Sequence, residues 1–216
     1  LGRAPDALAS LEEGARLSPR DPEAVSALAV AELATGKAAE ALAHFERAAE
    51  LDPDEPSRLT NLGTARMMRG QVPEAIRAYR RAVALAPDDA RARSDLGTAL
   101  LAAGELRAAL PELERAVALE PERATFLSNL CYARQLGGAL DDAVRTCRLA
   151  LEKDPKLGSA WINLGTALAK QRDYDEAERA FRRALALDAG DPRAKANLEE
   201  LAELRRAAPA PAPGAP

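Results

Sequence analysis

The sequence predicts an all-α solenoid of helix-turn-helix units, on three observations. A period of 34 residues is held without insertion, the apolar content is dominated by small helix-forming residues, and glycine and proline recur at fixed places in each period. Pro19, Pro53, Pro87, Pro121 and Pro155 stand 34 residues apart, and Leu28, Leu62, Leu96, Leu130, Leu164 and Leu198 keep the same step. A third register runs through Ala41, Ala75, Ala109, Ala143 and Ala177, each followed four residues later by Phe45, Tyr79, Leu113, Cys147 or Phe181. Chance does not hold three independent registers. Hydrophobic residues make up 47% of the 216 but aromatics only 3%, so the helices are expected to pack closely through alanine and leucine.

Residues 1–20 read as the second helix of a unit whose first helix is not in this sequence, with Ala7 and Leu11 in the paired register. An apolar face is expected to be uncapped there. Complete repeats are expected over 22–55, 56–89, 90–123, 124–157 and 158–191, each a helix, a turn and a second helix that ends before the next break. Gly36, Gly70, Gly104 and Gly138 supply the left-handed end of the first helix in four of them, and proline stops or restarts the chain. Pro111 falls early in a second helix, where only the first turn tolerates a missing amide, so that helix is expected to start late. Ala189 stands where the spacing calls for proline, and Gly190-Asp191-Pro192 provides the break, with Asp191 as the helix cap. Residues 192–206 read as a charged capping helix, which closes a solenoid spanning 1–206, and the Ala/Pro-rich 207–216 as a disordered tail. The start at Leu1 leaves open a removed signal peptide, lipid anchor or earlier domain.

Trp161, Leu164-Gly165, Ala177, Phe181 and Ala184 stand at spacings that resemble the tetratricopeptide-repeat (TPR) signature. That resemblance implies a right-handed superhelix with the first helix of each unit lining a concave groove that binds peptides. On those helices Asn61, Asp95, Asn129, Asn163 and Asn197 recur at 34 residues, about 100° round from the packing leucines. They are expected to form a polar ladder along the groove, similar to the one in O-linked N-acetylglucosamine transferase. An amide can both donate to and accept from a peptide backbone; alternatively, the Asn side chains bond between neighbouring helices. Val30, Leu33, Met67, Met68, Leu101, Tyr132 and Leu136 are expected beside the ladder, as a soft apolar surface for an amphipathic helix or apolar peptide, or else packed between repeats.

Cys131 and Cys147 belong to one repeat and occupy facing slots. Elsewhere the first slot holds Ala29, Gly63, Gly97 or Gly165 and the second Phe45, Tyr79, Leu113 or Phe181, so two mid-sized sulfurs replace a small and a large partner. Helices packed this closely favour a disulfide, and with it an oxidising compartment such as a bacterial periplasm; the other reading is two buried thiols in a cytosolic core.

The net charge of −4, from 30 basic and 34 acidic residues spread evenly, offers no basic face for nucleic acid. No apolar run is long enough for a membrane helix. His44 is the one histidine, no glycine-rich phosphate loop is present, and neither an enzyme nor a cofactor nor a metal is expected. Chaperone carboxylate clamps need cations beside the groove amides, yet those positions hold Ser26, Val30, Asp95, Thr125, Ser128 and Ser159, with only Arg91 and Arg193 basic. The reading is a scaffold that captures a peptide or helix of a partner protein. Its size and architecture resemble the pilotin lipoproteins of type IV pilus systems, which implies a secretin partner and a periplasmic or outer-membrane-associated place. A cytoplasmic adaptor or regulatory domain, and a self-assembling scaffold, are the alternatives.

Overall fold

The structure, a computed structural model, describes residues 3–207. The tail expected over 207–216 lies outside them except for Ala207, which ends the last helix. Among the described residues there are twelve α-helices and no strand: α1 (Arg3–Leu17), α2 (Pro22–Ala34), α3 (Ala38–Leu51), α4 (Pro56–Met68), α5 (Val72–Leu85), α6 (Ala90–Ala102), α7 (Leu106–Leu119), α8 (Ala124–Leu136), α9 (Leu140–Lys153), α10 (Gly158–Lys170), α11 (Tyr174–Leu187) and α12 (Pro192–Ala207). They fall into two compact units, α1 to α7 and α8 to α12. Within each, the helices pair as hairpins (α2 with α3, α4 with α5, α6 with α7; α8 with α9, α10 with α11), and α12 packs on α11 and α10.

The hairpins are held by a repeated close approach. A Cβ added to Gly63 would lie 2.6 Å from Tyr79 Cε1, one on Gly97 2.6 Å from Leu113 Cγ, and one on Gly165 2.5 Å from Phe181 Cε1. The small residue lets the large side chain from the second helix lie against the backbone of the first, and Tyr79, Leu113 and Phe181 are buried as a result. Ala29 and Phe45, both buried, are packed in one cluster at the equivalent place.

Helix ends follow from local chemistry. Asp21, Asp89, Asp173 and Asp191 each accept a backbone N–H of the helix that follows, which satisfies a donor the first turn cannot. The Arg193 guanidinium beside Asp191 holds its carboxyl below the usual carboxylate range, helped by the Ala194 and Arg193 amides. Gly36, Gly70, Gly104 and Gly138 take φ between +71 and +83, as the turns require; in the fifth repeat the same conformation falls on Arg172, φ 66. The expectation for Pro111 needs correction: α7 starts at Leu106 and runs through it. Only the Arg107 carbonyl loses its helical donor to Pro111, and Arg107 is exposed, so that loss falls on the solvent side of the helix where it costs least.

Candidate peptide-binding groove

In the second unit α8, α10 and α12 present one shared face, and a cleft of about 480 Å³ opens along it. Asn129, Asn163 and Asn197 lie in its wall with Ser128, Tyr132, Gln135, Thr166 and Arg193. The amide donors of Asn163 and Asn197 are already engaged. Asn163 Nδ2 donates to the Ser128 carbonyl and hydroxyl, each at 3.2 Å, and Asn197 Nδ2 donates to Thr166 Oγ1 at 3.2 Å. These bonds link one first helix to the next, so Asn163 and Asn197 serve the solenoid through their nitrogens and leave their amide oxygens as acceptors for a ligand.

In the first unit Asn61 and Asp95 hold the corresponding positions on α4 and α6, both half-buried. Desolvation by burial pushes the Asp95 carboxyl up to about 6, against the pull of Arg91 3.7 Å away. Nearby, burial raises the Tyr79 hydroxyl to about 12, and that hydroxyl lies 3.1 Å from Thr64 Oγ1.

The apolar residues divide. Val30, Met68, Tyr132 and Leu136 are exposed on the first helices. Leu33, Met67 and Leu101 are half-buried and pack against the hydrophobic clusters of their own hairpins, so their role is chiefly in the core. The next residue in their column is Gln135, which is 4% exposed and whose Oε1 has no hydrogen-bond partner. A buried amide oxygen without a donor costs about 1–3 kcal/mol, and the residue that carries it lines the cleft. Gln135 is not among the expected groove residues, yet in the column Leu33, Met67, Leu101, Gln135, at steps of 34 residues, it is the polar exception.

Beneath this face Cys131 and Cys147 are fully buried, with Cα atoms 5.4 Å apart and sulfurs at bonding distance, a pair compatible with a disulfide between α8 and α9. His44 is tied down elsewhere: its Nδ1 lies 2.7 Å from Oε2 of buried Glu32.

A second, larger cleft, about 700 Å³, lies between α9 and α11 across α10. Trp161, Leu164 and Leu168 form its floor and Arg148, Arg179 and Arg183 stand at its rim. At 100° per residue these floor positions are on the opposite side of α10 from Asn163 and Thr166. Equivalent clefts occur in the first unit over Leu59 and Leu62 and over Val25 and Leu28, so this one is a product of the repeat, with Trp161 its distinguishing feature.

No helix among the described residues is long and apolar enough to cross a membrane. A search of curated protein sequences returned no match. Solved structures similar to this chain include YrrB, described as a TPR protein with an unusual peptide-binding site, at 21% identity over 88% of this chain and 97% of that one, TM-score 0.65. The chain also resembles a protein of the Cut9-Hcn1 hetero-tetramer of APC/C, at 20% identity over 96% of this chain but only 41% of that one, TM-score 0.84. A third is pilF of Pseudomonas aeruginosa, at 21% identity over 87% and 86%, TM-score 0.72. Sequence profiles described as tetratricopeptide repeat match residues 1–56, 94–158 and 158–191, and one described as TPR repeat matches 63–104. With its hairpins, its glycine slots and these matches, the chain belongs to the tetratricopeptide-repeat family, whose members are scaffolds that bind other proteins or peptides.

Proposed function

We propose that this chain captures a peptide or amphipathic helix of a partner protein on the face formed by its first helices. The observation that carries the reading is the cleft along α8, α10 and α12, which Gln135 and Tyr132 line and where Asn163 and Asn197 keep their amide oxygens as acceptors. A peptide backbone supplies N–H donors at intervals, and Tyr132, 42% exposed, adds an aromatic surface at the rim. The peptide-binding site named for YrrB supports this reading.

Within that function we assign the chain to assembly of a cell-envelope complex, in the manner of pilotins that assist the type IV pilus secretin. The buried cysteine pair and the likeness to Pseudomonas aeruginosa pilF support this assignment. An oxidised pair belongs in an oxidising compartment, where the cell does not reduce it.

Short random peptides displayed on phage and selected against the full chain test the capture itself. Tyr132→Arg places a bulky cation at the cleft without touching the core, and selected peptides are expected to lose binding to it. Undiminished binding to that variant rejects the cleft as the site. For the envelope assignment, deletion of the gene in its host should lower the amount of assembled secretin in the outer membrane; an unchanged amount rejects the assignment and leaves the capture standing.

A further inference from the structure

We propose that Asp95 makes the groove face of the first unit selective for a peptide that carries a lysine or arginine side chain, whose cationic head its carboxylate receives. The inference rests on the capture reading above and names the ligand chemistry for the first unit.

Asp95 is the exception in a column otherwise occupied by Asn61, Asn129, Asn163 and Asn197. Asn163 shows what an amide does there: it donates to the backbone carbonyl of Ser128, 35 residues earlier. The residue 35 before Asp95 is Thr60, whose carbonyl accepts from Thr64 Oγ1 and whose hydroxyl donates to the Pro56 carbonyl. A carboxylate has no donor for that carbonyl, and Thr60 has no donor left for the carboxylate. Asp95 therefore cannot repeat the helix-to-helix bond of its amide counterpart.

Nothing else in the unit replaces it. Arg91, one turn earlier on α6, approaches at 3.7 Å, beyond hydrogen-bond distance, and is itself 62% exposed. Asp89, which caps the same helix, repels the charge, and Tyr79 on α5 directs its hydroxyl to Thr64. The carboxylate is thus two-thirds withdrawn from water, ionised at neutral pH and without a hydrogen-bond donor. Such a group gains most from a ligand that brings donors and positive charge together, as an ammonium or guanidinium does. On α4, Met68 is 60% exposed and lies on the same side of the helix as Asn61, two turns further on, which offers an apolar surface to a neighbouring residue of the peptide.

The test is a selection of short random peptides against the full chain and, in parallel, against Asp95→Asn, which restores the amide of the other ladder positions. Peptides recovered with the native chain are expected to be enriched in lysine or arginine, and those recovered with the variant are not. A recovered cationic peptide is expected to bind Asp95→Asn about tenfold more weakly at neutral pH by fluorescence polarisation. That difference should shrink near pH 5, where the carboxyl is mostly protonated, and Asp95→Glu should retain the preference. Binders without cationic enrichment, or equal affinity for Asp95→Asn, overturn the inference and leave groove capture intact. A selection that yields no binder to either protein overturns both.

Discussion

Replacing Gly165 with alanine should destabilise this protein, although alanine is the better helix former. Within a helix the exchange ordinarily gains about 1 kcal/mol. Here the new Cβ would lie 2.5, 2.7 and 2.9 Å from Cε1, Cδ1 and Cζ of Phe181, distances that force the ring or the helix to move. Phe181 is 1% exposed, so any shift of the ring disturbs the packing of the hairpin around it. Overpacking of this kind costs roughly 1–3 kcal/mol, so the net loss is about 1 kcal/mol, or about 2–4 °C in melting temperature for a chain of this size. Gly14 in α1 supplies the contrast, because a Cβ there meets nothing within 4 Å, and Gly14→Ala should raise stability by about 0.5–1 kcal/mol. Urea titrations followed by far-ultraviolet circular dichroism give both values. In a Phe181→Ala background, where the ring is gone, Gly165→Ala should change sign and stabilise. A Gly165→Ala variant as much stabilised as Gly14→Ala in the native background would refute the close approach of α10 and α11.

Closing the 16-residue separation between Cys131 and Cys147 restrains the unfolded chain by about 3 kcal/mol, so reductant or Cys147→Ser should lower the melting temperature by several degrees. Material prepared without reductant should show no free thiol after denaturation. Asp95 has its folded pKa raised to about 6, above its unfolded value, so the folded state is favoured below about pH 4 and loses that advantage as pH rises through 6. Asp95→Asn should therefore be more stable than the native chain above pH 6 and no more stable below pH 4, as read from paired thermal melts; a constant difference across that range would reject the buried carboxylate. Arg172 holds a left-handed backbone that glycine adopts in the four preceding turns, and Arg172→Gly should leave stability unchanged or raise it by up to about 1 kcal/mol, measured by the same melts. A loss greater than that would mean the Arg172 side chain contributes more than its backbone strain removes.

Much of the fold was legible because the repeat makes each position visible several times over. The turn glycines, the leucine column and the small-large slot across each hairpin are read directly from the 34-residue step, and the structure assigns each its packing role. Pro111 was misread because a local rule about helix starts was applied where solvent could satisfy the one lost carbonyl. Leu33, Met67 and Leu101 looked groove-facing from angle alone, but helical direction does not say how far a neighbouring helix reaches round, and the second helices half-cover them. The destination of the Asn donors was hidden for a similar reason: it depends on a neighbour 31 to 35 residues away and on side-chain rotamers. Gln135 was legible in its column, and its unpaired oxygen was not.

The location of a bound peptide tests the central claim most directly. With a peptide selected against the full chain, amide and methyl NMR shifts should change for Tyr132, Gln135, Asn163 and Thr166 in the face of α8 and α10, or for Asn61, Met68 and Asp95 in the first unit, while Trp161 and Leu168 stay unmoved. Shifts centred on the Trp161 cleft instead would place capture on the opposite side of α10 and contradict the account.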